Sequence, residues 1–87
     1  MQVLDREPYS YVLLETDGEW ILTFLLGRAV MVDVSVRLTP EEVTALEDGE
    51  SSAADLIERF SADRSAYEDR QVIPAVWPAR EDETSDG

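Results

Sequence analysis

Apolar residues fall along this chain in three β-like runs and then change to a helical spacing. Residues 9–16 read Tyr-Ser-Tyr-Val-Leu-Leu-Glu-Thr, aromatic and apolar enough for a strand. Asp17-Gly18 follows. Asp-Gly between apolar runs predicts a type I′ hairpin turn, whose two central residues both need positive φ. Residues 19–26 are then the return strand. Such a turn sets Thr16 opposite Glu19, Glu15 opposite Trp20, Leu13 opposite Leu22 and Tyr11 opposite Phe24. Opposed residues share a sheet face. One face therefore carries Tyr9, Tyr11, Leu13, Trp20, Leu22, Phe24 and Leu26, and the other carries Ser10, Val12, Leu14, Ile21, Thr23 and Leu25. Both are apolar, unlike the usual antiparallel hairpin with one wet side.

Residues 30–38 alternate most cleanly. Val30, Val32, Val34, Val36 and Leu38 point one way, and Met31, Asp33, Ser35 and Arg37 the other. The link Gly27-Arg28-Ala29 predicts a second hairpin with a three-residue loop and Leu26 opposite Val30. The valines then join the Trp20/Leu22/Phe24 face. A two-residue loop would turn Asp33 and Arg37 onto that face, where buried charge costs far more than buried valine.

Thr39-Pro40-Glu41-Glu42 is a helix start: Thr39 caps, Pro40 sits where a missing N–H costs nothing, and Glu42 completes a capping box. Val43 and Leu46 give this helix its inward edge, and Asp48-Gly49 ends it. A second helix starts near Ser51 or Ser52. Its apolar positions Ala53, Leu56, Ile57 and Phe60 follow helical spacing. A further short helix is expected from Arg64 to Asp69, with Tyr67 inward. Pro74 and Pro78 then bar a helix or central strand from residues 71–78. An extended arm is expected there, with Val72, Ile73, Val76 and Trp77 docked on the body or on a partner. Residues 1–8 read as a polar lead-in and 79–87 as a disordered acidic tail. The pattern predicts one small α+β domain over 9–78: a three-stranded antiparallel β-meander with two or three short helices packed on one face.

Charge changes this picture. The chain has 20 Asp and Glu against 7 basic residues, a formal net charge of −13 over 87 residues. Every basic residue is Arg, and there is no His, Cys, Lys or Asn. Such a body repels nucleic-acid phosphates and attracts basic proteins. Without His or Cys it lacks the commonest general base, a common nucleophile and most zinc chemistry. No Asp-x-Asp-x-Asp-Gly run offers calcium a loop, and no glycine loop cradles phosphate. The reading is of a non-enzyme with no cofactor and no metal. The start of the chain has no basic segment followed by an apolar one, and no apolar run is long enough to span a bilayer. A cytoplasmic protein is expected, with no direct nucleic-acid or membrane partner. Acidity also has a compositional reading, as adaptation to high salt or the product of a GC-rich genome.

Two surfaces remain as functional candidates. The first is the acidic helical layer: Glu41, Glu42, Glu47, Asp48, Glu50, Asp55 and Glu58. It suits a basic partner protein, such as a toxin or a nucleic-acid-binding protein. Small inhibitors, immunity proteins and antitoxins present surfaces of this kind, an analogy of composition only. The second is the sheet face of Val12, Leu14, Ile21, Thr23 and Leu25, bordered by Met31 and Asp33. Two short helices cover one face of a small sheet, hardly both. The second face is left either to the chain's own arm or to a partner. The alternative function is thus a structural or accessory subunit forming a homodimer or larger assembly through that face.

Overall fold

The computed structural model describes residues 2–7, 10–27 and 32–78. It is an α+β fold built on an antiparallel sheet of five strands in sequential order, not three. The strands are β1 (Gln2–Glu7), β2 (Tyr11–Thr16), β3 (Glu19–Leu26), β4 (Val32–Arg37) and β5 (Gln71–Val72). The helices are α1 (Pro40–Asp48) and α2 (Ala53–Ala62). Among the described residues no helix is long and apolar enough to cross a membrane.

The β2–β3 hairpin has the register set by its turn. Tyr11 pairs with Phe24, Leu13 with Leu22 and Thr16 with Glu19. Asp17 and Gly18 have φ of 54° and 81°, the positive pair that a type I′ turn requires. The β3–β4 pairing differs from the expected one. Leu26 opposes Val32 rather than Val30, and Phe24 opposes Val34. The slip is two residues, so the face of every side chain is kept: a sheet repeats every second residue. Val30 and Met31 lie outside the described residues, as does the tail over 79–87.

Both sheet edges depart from the sequence reading. The supposed lead-in is β1, paired with β2. Its register jumps between Val3 and Asp5, leaving Leu4 as a bulge that packs on the core. An edge strand is paired on one side only and needs no alternating pattern, so Gln-Val-Leu-Asp-Arg-Glu gave no strand signal. The bulge and the charges also make this edge a poor template for another chain. The Tyr11 hydroxyl donates to Asp5 Oδ2 at 2.9 Å. Burial and that anionic acceptor push the phenol up to about 12. At the other edge, the first two residues of the arm form β5, with Val72 against Ser35 and Gln71 against Val36.

Both helix starts carry reciprocal capping boxes, Thr39 with Glu42 and Ser52 with Asp55. Gly49 closes α1 with φ of 78° while its N–H meets Ala45 and Leu46 carbonyls. The expected third helix resolves into two 3-10 turns, Arg64–Ala66 and Glu68–Arg70. Asp63 caps the first, and Tyr67 points inward between them.

One sheet face and the helices enclose the core. Leu13, Leu22, Phe24, Val34 and Val36 meet Ala53, Leu56, Phe60 and Tyr67. At its centre Phe24 stacks on Phe60 with centroids 6.1 Å apart and meets Tyr67 edge-on at 6.4 Å.

Candidate functional site

The acidic candidates divide by what each carboxylate touches. Glu42 was expected on the partner-binding surface, but it is 8% exposed. Its Oε1 accepts the Thr39 N–H at 2.9 Å, and its backbone N–H donates to Thr39 Oγ1 at 3.1 Å. Arg70 pairs with it from Nη1 to Oε1 at 2.7 Å. Burial alone would raise this carboxyl. The Arg70 guanidinium and the Thr39 N–H outweigh burial and hold it below its ordinary value. A residue so engaged ties α1 to the chain before β5 and is not free for a partner.

Glu41, Glu47, Asp48, Glu50, Asp55 and Glu58 are exposed. Asp55 accepts the Ser52 N–H at 3.0 Å, so its carboxylate has a capping role. The other five have no ion pair among the described residues. Glu47 and Asp48 lie in the last turn of α1, which holds no basic residue. The helix dipole places negative charge there, so carboxylates at that end cost local stability. Glu41 and Glu50 are brought together across a shallow, open depression also lined by Pro40, Thr44 and Ala45.

The second candidate face is interior. Val12, Leu14, Ile21 and Thr23 are 2%, 0%, 4% and 0% exposed within the single chain, and Leu25 is half-buried. Met31 is outside the described residues. Asp33 is exposed but accepts the Trp77 indole N–H at 2.7 Å. Of the two covers considered for this face, the arm is the one present: Val76 is hydrogen-bonded to both Thr23 and Ser35.

No family model, curated protein or solved structure matches this chain. The functional reading therefore rests on the chain's own surfaces.

Sequence reasoning missed the Thr23–Ser35 pair. With Leu26 opposite Val30, Thr23 would face Asp33, whereas the observed register sets it against Ser35. The signal was two small hydroxyl residues in an otherwise apolar face, hidden by the two-residue slip. The burial of this face changes what a mutation there reports. Ile21→Glu would bury a charge in the interior, and the one cation opposite it, Arg37, already pairs with Glu19. The variant is expected to unfold, seen as loss of the cooperative thermal transition by circular dichroism. A wild-type melting temperature would place Ile21 outside the interior.

Proposed function

We propose that this chain is an acidic protein-binding module that neutralises a basic partner, as inhibitor and immunity proteins do. The observation that carries this reading is the set of exposed carboxylates on the helical layer, five of them without ion pairs among the described residues. Two of those five sit where the dipole of α1 penalises them. Among the described residues, no ion pair calls for charge at Glu47 or Asp48.

The depression between Glu41 and Glu50 suits one cationic side chain of the partner. An Arg or Lys entering it meets a carboxylate on each side, and its methylene stem lies on Pro40 and Ala45. Each exposed pair is weak, about 0–1 kcal/mol. A field of like charges raises association rates by about 10–10³. The expected effect is therefore mainly kinetic.

Two variants that lose the same charge separate a binding surface from net acidity. One carries Glu41→Gln, Glu47→Gln, Glu50→Gln and Glu58→Gln. The other ends after Arg80 and so lacks Glu81, Asp82, Glu83 and Asp86. Stopped-flow association is measured with an Arg/Lys-rich probe protein over a range of salt. The first variant is expected to associate about tenfold more slowly or worse, and the second to change much less. Equal slowing would mean that only net charge matters, and a rate indifferent to salt would remove the electrostatic reading altogether.

A further inference from the structure

The sheet face opposite the helices carries a built polar device in apolar surroundings. Thr23 and Ser35 are directly opposed on β3 and β4, both fully buried. Their hydroxyl oxygens are 2.5 Å apart. Between them they take both backbone polar groups of one residue of the arm. The Val76 N–H donates to Ser35 Oγ at 2.8 Å, and Thr23 Oγ1 donates to the Val76 carbonyl at 2.7 Å.

The proton directions follow from this. A hydroxyl has one proton, and that of Thr23 goes to the Val76 carbonyl. Ser35 must therefore donate to Thr23. The chain runs Val76 N–H to Ser35, Ser35 to Thr23, and Thr23 back to Val76 C=O. It is a closed ring in which each bond polarises the next. The ring reads the N–H and C=O of one residue and makes no bond to the Val76 side chain. Selectivity comes one residue later, where the Trp77 indole N–H donates to the Asp33 carboxylate at 2.7 Å, a charge-assisted bond.

We infer that Thr23, Ser35 and Asp33 form a peptide-binding clamp for an extended segment with a tryptophan directly after the clamped residue, and that residues 73–78 occupy it as a tethered self-ligand. The trans occupant is such a tryptophan-bearing segment of another protein. The clamp itself states that chemistry: one backbone N–H, one C=O and one indole N–H. The cis ligand is built to exchange. Past β5 it pairs with no strand among the described residues, and Ile73 and Trp77 remain 79% and 42% exposed. It is held through side-chain hydroxyls, so its release breaks no sheet ladder. A second copy is a poor occupant, because two bodies of −13 repel each other. The clamp lies across the sheet from the acidic helical layer and does not depend on the function proposed for it.

The test uses the full chain and a fluorescent hexapeptide of sequence Ile-Pro-Ala-Val-Trp-Pro, read by anisotropy. In the wild type the tethered arm competes at an effective concentration on the order of millimolar, so binding is weak. Trp77→Ala loosens the arm and leaves the clamp intact. It is expected to bind the peptide about tenfold more tightly or better. The same peptide with Ala for Trp should not bind, and adding Asp33→Ala should erase the preference for Trp. Equal binding by wild type and Trp77→Ala, equal binding of the Trp-less peptide, or no binding would each overturn the clamp. Wild-type dimers that exchange arms would assign the site to a second copy and overturn the partner reading. Hydrogen exchange of the wild-type Val76 amide decides the matter if Trp77→Ala fails to fold. Exchange faster than at Leu22 supports release of the arm, and exchange only through global unfolding refutes it.

Discussion

Phe24→Ala should leave the chain at the edge of unfolding at room temperature. Phe24 is fully buried at the centre of the interface between sheet and helices. It touches both aromatic anchors of the helical layer, Phe60 from α2 and Tyr67 from between the 3-10 turns. Removing a ring from such a site costs about 3–5 kcal/mol, the lost transfer energy plus the cavity left behind. A domain of this length buries only roughly 60–65% of its unfolded surface and sits at the low end of a stability range of about 5–15 kcal/mol. The loss is most of what holds it together. Circular dichroism should show a melting temperature lowered by more than about 10 °C. A folded variant with a near-native melting temperature would mean that the aromatic cluster is not the centre of the core.

Arg70→Ala is expected to destabilise the fold by about 2–3 kcal/mol. One guanidinium holds together four parts of the structure. Its Nη1 bonds Glu42 Oε1 at 2.7 Å and the Arg37 carbonyl at 3.0 Å. Its Nη2 bonds the Ala66 carbonyl at 2.6 Å and Glu42 Oε2 at 3.3 Å, while the group lies 5.8 Å from the Phe60 ring centroid. Truncation strands the nearly buried Glu42 carboxylate. Arg70→Lys keeps the charge but loses the planar fork, so only partial rescue is expected.

The same pair sets a pH signature. The folded Glu42 carboxyl lies below its ordinary value of 4.5. Its stabilising contribution is fully present above that value and is lost as pH falls through the lower folded one. Glu42→Gln lacks this term. The stability advantage of wild type over Glu42→Gln, from urea titrations, should therefore hold at neutral pH and shrink on acidification below 4.5. A difference that stays constant into acid would show that the ion pair carries no such linkage.

The acidic layer was legible in part. Composition and helical phase placed Glu41, Glu47, Asp48, Glu50, Asp55 and Glu58 on an exposed layer, where they lie. The same phase could not distinguish Glu42, because its burial depends on Arg70, 28 residues further along the chain. The sequence leaves the cover of the apolar sheet face open for a similar reason. Its apolar residues are local, but the arm that crosses it returns from beyond the second helix.

Local chemistry in the sequence determined the β2–β3 hairpin and the helix boundaries. Asp17-Gly18 dictates the turn and so the register, and Thr39, Ser52 and Gly49 terminate helices through bonds within a few residues. Period-two alternation settled which face Val34 and Val36 occupy, because the sign of the pattern survives a two-residue slip. Tertiary structure alone decided the register of β4, the edge strands β1 and β5, the burial of Glu42 and the ring that binds Val76. Each of these depends on which distant segment supplies the missing partner. Hydrogen-bonding groups on an edge strand, a carboxylate or a hydroxyl are satisfied equally well by water in the isolated segment. Only the folded chain excludes that water and makes the choice.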